Sequence, residues 1–196
     1  MKLKICGLMT LQDVDYVNQA NTDYAGFVFA KSRVQIDFEN AKLLKAALNP
    51  KIKAVGVFVD ESYDFIKKCV DEKIVDVVQF HGDFEYEMPC ETIRAFRMRS
   101  AKDIKPTKCD FVLFDAFKEG EAGSTGGMFD WNIIREYDNK KPFFLAGGIN
   151  ILNIKEAIKQ NPYCIDISSG AEENGKKSLK KIMEITMSLN KGGKNV

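Results

Sequence analysis

The sequence is short of the features that usually announce a chemistry. It has one histidine, His81, among 196 residues, and its five cysteines (Cys6, Cys69, Cys90, Cys109, Cys164) form no C-x-x-C pair, so a dedicated metal site is not expected. Neither sign of charge is in excess, because 29 Lys and Arg face 28 Asp and Glu. That balance leaves no net field to hold a nucleic acid or an acidic membrane, and an anionic ligand has to be held locally. No apolar run approaches the ~18 residues of a membrane span. Nothing at the N-terminus reads as a secretory signal, and an odd number of thiols points to a reduced, cytoplasmic setting.

What is present is a repeated alternation of apolar strands and amphipathic helices. The chain is 45% hydrophobic and of a length that buries one core, so a single domain over residues 1–190 is expected, with 191–196 as a flexible tail. Strands are expected near Lys4–Leu8, Tyr24–Phe29, Ala54–Val59, Val75–Phe80, Thr92–Arg97, Phe111–Asp115, Phe143–Gly148 and Cys164–Gly170. Between them, Thr10, Asp37 and Ser62 are placed to cap helices over 11–20, 38–48 and 62–72. Further helices are expected over 129–137, 153–160 and 178–189, the last with Leu179, Ile182, Met183 and Met187 on one face. Pro106 leaves little room for a helix in the fifth crossover. Continuous apolar strands flanked by helices indicate a parallel sheet covered on both sides. About eight strand–helix units point to an α/β fold, a closed (β/α)8 TIM barrel with short loops, and an open doubly wound sheet is the alternative.

In such a barrel the chemistry sits at the C-terminal ends of the strands. Cys6 ends the first strand and Gly7 lets the chain turn at once, while Lys4 shares the face of Cys6 by alternation. Gln79 and His81 end the fourth strand, and Asp115 ends the sixth on the face of Leu113. A carboxylate in that top core layer is expected to titrate high, unless it is a solvated loop or capping residue. Cys6 also fits a small buried hydrophobe, and His81 a satisfied rim histidine. Gly147, Gly148, Ser169 and Gly170 follow strands seven and eight, where backbone N–H groups commonly hold a phosphate.

Seven blocks in order carry a resemblance to a known family. They are Lys4-Ile5-Cys6-Gly7-Leu8, Gly26-Phe27-Val28-Phe29, Val55-Gly56-Val57-Phe58-Val59, Val78-Gln79-Phe80-His81-Gly82, Gly126-Gly127-Met128-Phe129-Asp130-Trp131, Leu145-Ala146-Gly147-Gly148-Ile149 and Asp166-Ile167-Ser168-Ser169-Gly170-Ala171-Glu172. Over nearly its whole length the chain resembles the phosphoribosylanthranilate isomerases of tryptophan biosynthesis. The resemblance implies an Amadori rearrangement of N-(5'-phosphoribosyl)anthranilate with no metal or organic cofactor. It implies Cys6 as general base and Asp115 as general acid, with Gln79 and His81 beside the substrate. Those roles call for a thiol below its usual value of ~8.5 and a carboxyl above ~3.9.

Two departures from the family pattern stand out. The family reads Ser-x-Arg after the second strand, and aligning on Ser32 puts Val34 at the arginine, one place after Arg33. Either Arg33 clamps the substrate carboxylate from a shifted backbone, with Lys31 as the fallback, or this contact is lost. After Gly175 the family has Lys-Asp where this chain has Lys176-Lys177-Ser178, a change expected to touch none of the chemistry. The related histidine-pathway isomerase is an alternative, although it carries an aspartate where this chain has Cys6. A catalytically silent phosphosugar-binding barrel is another. The expected partner is a small phosphoribosyl substrate, and a monomer, a homodimer and association with other tryptophan-pathway enzymes are all open.

Overall fold

The computed structural model describes residues 1–115, 134, 137 and 141–192. Eight parallel strands close into a barrel in chain order: β1 (Lys2–Cys6), β2 (Tyr24–Val28), β3 (Lys53–Phe58), β4 (Val77–Phe80), β5 (Glu91–Arg97), β6 (Phe111–Asp115), β7 (Phe143–Ala146) and β8 (Cys164–Ile167). The closing pair sets Lys4 of β1 beside Asp166 of β8. Around the barrel run α1 (Leu11–Ala20), α2 (Phe38–Ala47), α3 (Tyr63–Asp71), α4 (Ile154–Lys159) and α5 (Leu179–Gly192). The start of α1 shows why the predicted boundaries hold. Thr10 Oγ1 accepts from the Asp13 N–H, and the Asp13 carboxylate accepts from Thr10 N, so each satisfies a donor the helix leaves open.

Period-2 alternation divides the apolar residues into two compartments. The lower barrel interior is filled by Tyr24, Val55, Val77, Ile93, Leu113, Phe144 and Cys164. Phe144 is its central ring, with its centroid 5.4 Å from Tyr24 and 5.5 Å from Phe111. Truncating it to alanine costs about 3–5 kcal/mol by the usual measure for a buried phenylalanine. The larger compartment lies between barrel and helices, where Ile5, Phe27, Val78, Phe80, Leu145 and Ile165 meet Val14, Val17, Leu44, Ile66, Ile182 and Ile185. A filled lower barrel leaves the upper half free for polar groups.

Several expectations need correction. The buried stripe of α5 is Ile182, Ile185 and Leu189, whereas Met187 is 52% exposed, because a step of five residues from Ile182 leaves that face. On α2, where Leu43, Leu44, Ala47 and Leu48 recur at helical spacing in the sequence, the buried residues are Ala41 and Leu44, with Leu48 just beyond the helix, and Leu43 is exposed. The eighth strand stops at Ile167, and Ser169–Ala171 forms a 3-10 turn. The helix α5 continues to Gly192, two residues into the expected tail. The helix expected over 129–137 and the block Gly126–Trp131 fall almost wholly outside the described residues.

Not every crossover holds a helix. As Pro106 suggests, β5 and β6 are joined through only a 3-10 turn at Ala101–Asp103, and residues 81–90 between β4 and β5 contain no helix either. The outer face there is covered by side chains instead. Phe80, Phe84 and Tyr86 meet edge-on or tilted, with ring centroids 5.3–6.1 Å apart. Arg94, outward on β5, donates to the carbonyls of Gly82 and Phe84 and lies 5.7 Å from the Phe96 ring. The extended segment thus has its backbone acceptors satisfied by an arginine rather than by helical bonds.

Candidate active site

β1 ends at Cys6 because Gly7 takes φ 81°, a left-handed turn that suits glycine. Space for the thiol is made on the neighbouring strand: a Cβ on Gly26 would lie 2.7 Å from Cys6 Sγ. The residue at the family's arginine position, Val34, covers Gly7 and packs with Cys6, Val28 and Val57. Above the apolar layers opens a cavity of about 260 Å³. Its lining includes the strand residues Cys6, Gln79, Asp115 and Asp166, His81 just past the end of β4, and the loop residues Gly147, Gly148, Ser169 and Gly170.

The cavity floor is a hydrogen-bonded chain of polar side chains. Lys4 is wholly buried inside the barrel, and its Nζ donates to Asp166 Oδ2 at 2.7 Å and to Gln79 Oε1 at 2.8 Å. An ammonium can only donate, so it fixes the amide oxygen of Gln79 toward itself and turns the NH2 toward His81. The Gln79 Nε2 to His81 Nε2 distance is 2.6 Å. His81 Nε2 therefore accepts, and the neutral ring carries its proton on Nδ1. Burial and the charges of Lys4, Arg97 and Arg94 push the His81 pKa down to about 3. Burial works against the Lys4 ammonium, but the Asp166 carboxylate outweighs it and holds Lys4 above the ordinary lysine value.

The two proton-transfer candidates sit on opposite walls, on β1 and β6. Burial and the Asp166 charge raise the Asp115 carboxyl above its ordinary 3.8 against the pull of Arg97 and Lys4, as the sequence leads one to expect. Cys6 departs from expectation. Burial raises its thiol above the ordinary 9.0, and the nearby Lys4 and Lys177 charges offset this only in part. Nor does the Lys176-Lys177-Ser178 departure lie apart from the chemistry. Lys177 Nζ is buried against Ser168 O at 3.1 Å and Glu172 Oε1 at 2.9 Å, where its charge reaches Cys6.

At the rim, Gly147 and Gly148 have φ 90° and 65°, and no atom lies within 4 Å of where a Gly148 Cβ would stand. Gly170 is required for a different reason: its Cβ would fall 1.9 Å from Ile149 O, so the loops after β7 and β8 touch there. Residues of both loops border one open space.

Of the sequence-predicted residues, only Arg33 does not line the cavity. Its guanidinium is bound to Glu172 Oε2 at 2.7 Å and to Gly175 O at 3.0 Å. Lys4 and Asp166 are the residues that sequence reasoning missed. Alternation already put Lys4 on the face of Cys6, and a buried lysine needs an acidic partner inside the same barrel. Among the described residues no three His, Cys, Asp or Glu side chains are grouped to hold a metal ion.

Comparison with known proteins bears on the family and the fold. Residues 3–187 match the family model described as N-(5'phosphoribosyl)anthranilate (PRA) isomerase. The N-(5'-phosphoribosyl)anthranilate isomerase of Endomicrobium trichonymphae is 45% identical over 192 residues, covering 93% of this chain and 95% of the relative. A solved phosphoribosyl anthranilate isomerase in complex with reduced 1-(o-carboxyphenylamino)-1-deoxyribulose 5-phosphate superposes with TM-score 0.81 at 28% identity, covering 97% of this chain and 99% of that one. Monomers generated from the dimeric isomerase of Thermotoga maritima superpose with TM-score 0.80 at 29% identity, covering 98% and 99%. With a matching model over nearly all its length, the same barrel, and a thiol facing a carboxyl across the mouth, the chain belongs to the N-(5'-phosphoribosyl)anthranilate isomerase family.

Proposed function

We propose that this chain isomerises N-(5'-phosphoribosyl)anthranilate to 1-(2-carboxyphenylamino)-1-deoxyribulose 5-phosphate in tryptophan biosynthesis, with Asp115 as acid and Cys6 as base. The observation that carries the reading is one cavity lined at once by Cys6, by Asp115 and by the glycine loops after β7 and β8. Asp115, whose carboxyl burial raises above its ordinary value, gives its proton to the furanose ring oxygen, and the ring opens to a Schiff base between C1 and the anilino nitrogen. Ionised Cys6 then takes the C2 proton, leaving an enolamine that tautomerises to the ketone. The substrate phosphate is held by backbone N–H groups at Gly147, Gly148, Ser169 and Gly170. Gln79 and His81 line the sugar side, with the ring neutral and its Nε2 occupied.

Arg33 is the clamp for the anthranilate carboxylate in this reading. It reaches the substrate by exchanging Glu172 for the substrate carboxylate, two acceptors of the same chemistry. Residues 1–190 act as the catalytic unit, as a monomer or as a homodimer like the Thermotoga relative, with or without other tryptophan-pathway enzymes. Five free thiols favour a reducing, cytoplasmic compartment. Among the described residues no helix is long and apolar enough to cross a membrane. The test is the decay of phosphoribosylanthranilate fluorescence, with the substrate generated in situ, on adding the purified protein. An unaltered decay overturns the reading.

A further inference from the structure

One polar atom at the cavity is unaccounted for. Asp166 Oδ2 is taken by Lys4, but Oδ1 is buried without a hydrogen-bond partner among the described residues, in a side chain only 7% exposed. Leaving such an oxygen unsatisfied is costly, and native proteins rarely do so without a purpose. As the carboxylate of an ion pair with Lys4, Asp166 only accepts through Oδ1, and the atom that completes it has to be a donor. The phosphate and the carboxylate of the substrate are excluded by their own charge.

We infer that Asp166 Oδ1 receives the 2-hydroxyl of the sugar and thereby turns the C2–H bond toward Cys6. The placement comes from register. Lys4 stands beside Asp166, and Cys6 lies one step above Lys4 on the same inward face, so thiol and orphan oxygen belong to adjacent layers of neighbouring strands. A carbon whose hydrogen meets the thiol carries its hydroxyl one bond away, toward the layer below. The same contact suits the later step, because the C2 oxygen is an enol O–H in the enolamine and stays a donor until the ketone forms. Asp166 is thus a substrate-binding group that sets the stereochemical face of C2. This inference rests on the isomerase reading above.

The test uses the reduced product analogue, its 2-deoxy form and its 3-deoxy form, with binding read from quenching or enhancement of the anthranilate fluorescence. Wild-type protein is expected to bind the parent analogue about 10- to 100-fold more tightly than the 2-deoxy form, as for one charge-assisted hydrogen bond, and to lose far less with the 3-deoxy form. In Asp166→Asn the Lys4 ammonium draws the amide oxygen to itself and leaves an N–H2 at the cavity, so an acceptor is replaced by a donor at nearly constant shape. That variant is expected to bind the parent and 2-deoxy forms within about threefold of each other. Equal wild-type affinity for the parent and 2-deoxy forms overturns the inference while leaving the isomerase intact, and this arm needs no substitution to fold. Full discrimination retained in Asp166→Asn, or a larger loss with the 3-deoxy form, also overturns it. If no analogue binds and no turnover is seen, the isomerase reading falls, and the inference with it.

Discussion

Replacing Lys4 with methionine keeps most of the side chain's volume and removes its charge. In the parent the ammonium is fully buried and sits 2.7 Å from Asp166 Oδ2, with Asp166 93% buried. Lys4→Met therefore leaves a buried carboxylate with neither oxygen partnered, and Gln79 Oε1 loses its donor. Breaking a buried pair from one side costs about 3–5 kcal/mol. At about 2–4 °C per kcal/mol for a chain of this size, thermal unfolding followed by circular dichroism should move down by roughly 6–20 °C. Removing both charges in Lys4→Met/Asp166→Leu should recover most of the loss, because an apolar pair of similar volume is commonly as stable as a buried ion pair. Acidification should shrink the deficit of the single variant, since protonation removes the unpaired charge. A single variant melting within 2 °C of the parent would refute this account of the barrel interior.

At the proposed acid and base, Cys6→Ala and Asp115→Asn should each lower turnover by at least ~10²-fold with little change in analogue binding, and near-parental turnover in either sinks its role. Because turnover needs Cys6 ionised and Asp115 protonated, raised values at both give a kcat/KM profile with an acid limb above 3.8 and an alkaline limb above 9.0. Between the limbs, each gain in thiolate is offset by a loss of acid, and an alkaline limb near neutrality contradicts the buried thiol. Arg33→Ala should raise KM by about 10- to 100-fold with a smaller change in kcat, and Val34→Arg should restore part of it. Its melting temperature should stay within a few degrees, since the Glu172 pair is more than half exposed on the arginine side and such pairs contribute about 1 kcal/mol or less. A crystal soaked in sulfate should show the anion on the N–H groups of Gly148, Ser169 and Gly170, and an anion bound at Lys31 or Arg33 instead counts against that site.

The barrel was legible because its signal is distributed. Each strand is a short, continuous apolar run, each of the first three helices has a capping residue at its start, and the rim residues Cys6, Asp115 and Gly148 follow once strand ends are known. What escaped were properties set by residues far apart in sequence. Asp166 is 162 positions from Lys4, and only closure of β1 against β8 brings them together. The Cys6 thiol was misjudged in the same way: its titration depends on the depth of the barrel mouth, which no local pattern reports. Lys177 looked remote because it follows the last strand by ten positions, yet the short β9 (Glu172–Glu173) and β10 (Lys176–Lys177) hairpin folds it back under Ser168.

The two helix-free crossovers have a consequence for how the barrel comes apart. Where α1, α2, α3, α4 and α5 cover the strands, the outer face is sealed by helices whose removal exposes a large apolar stripe, so opening there is close to global. Around β5 the seal is an extended segment held by one arginine, a few rings and the bonds that Glu85 accepts from Thr107 and Lys108, and opening it breaks these few contacts rather than a helix. Amide protons of β5 should therefore exchange with solvent deuterium sooner than those of β1, β2 and β8, marking the seam at which the closed sheet first opens into a ribbon.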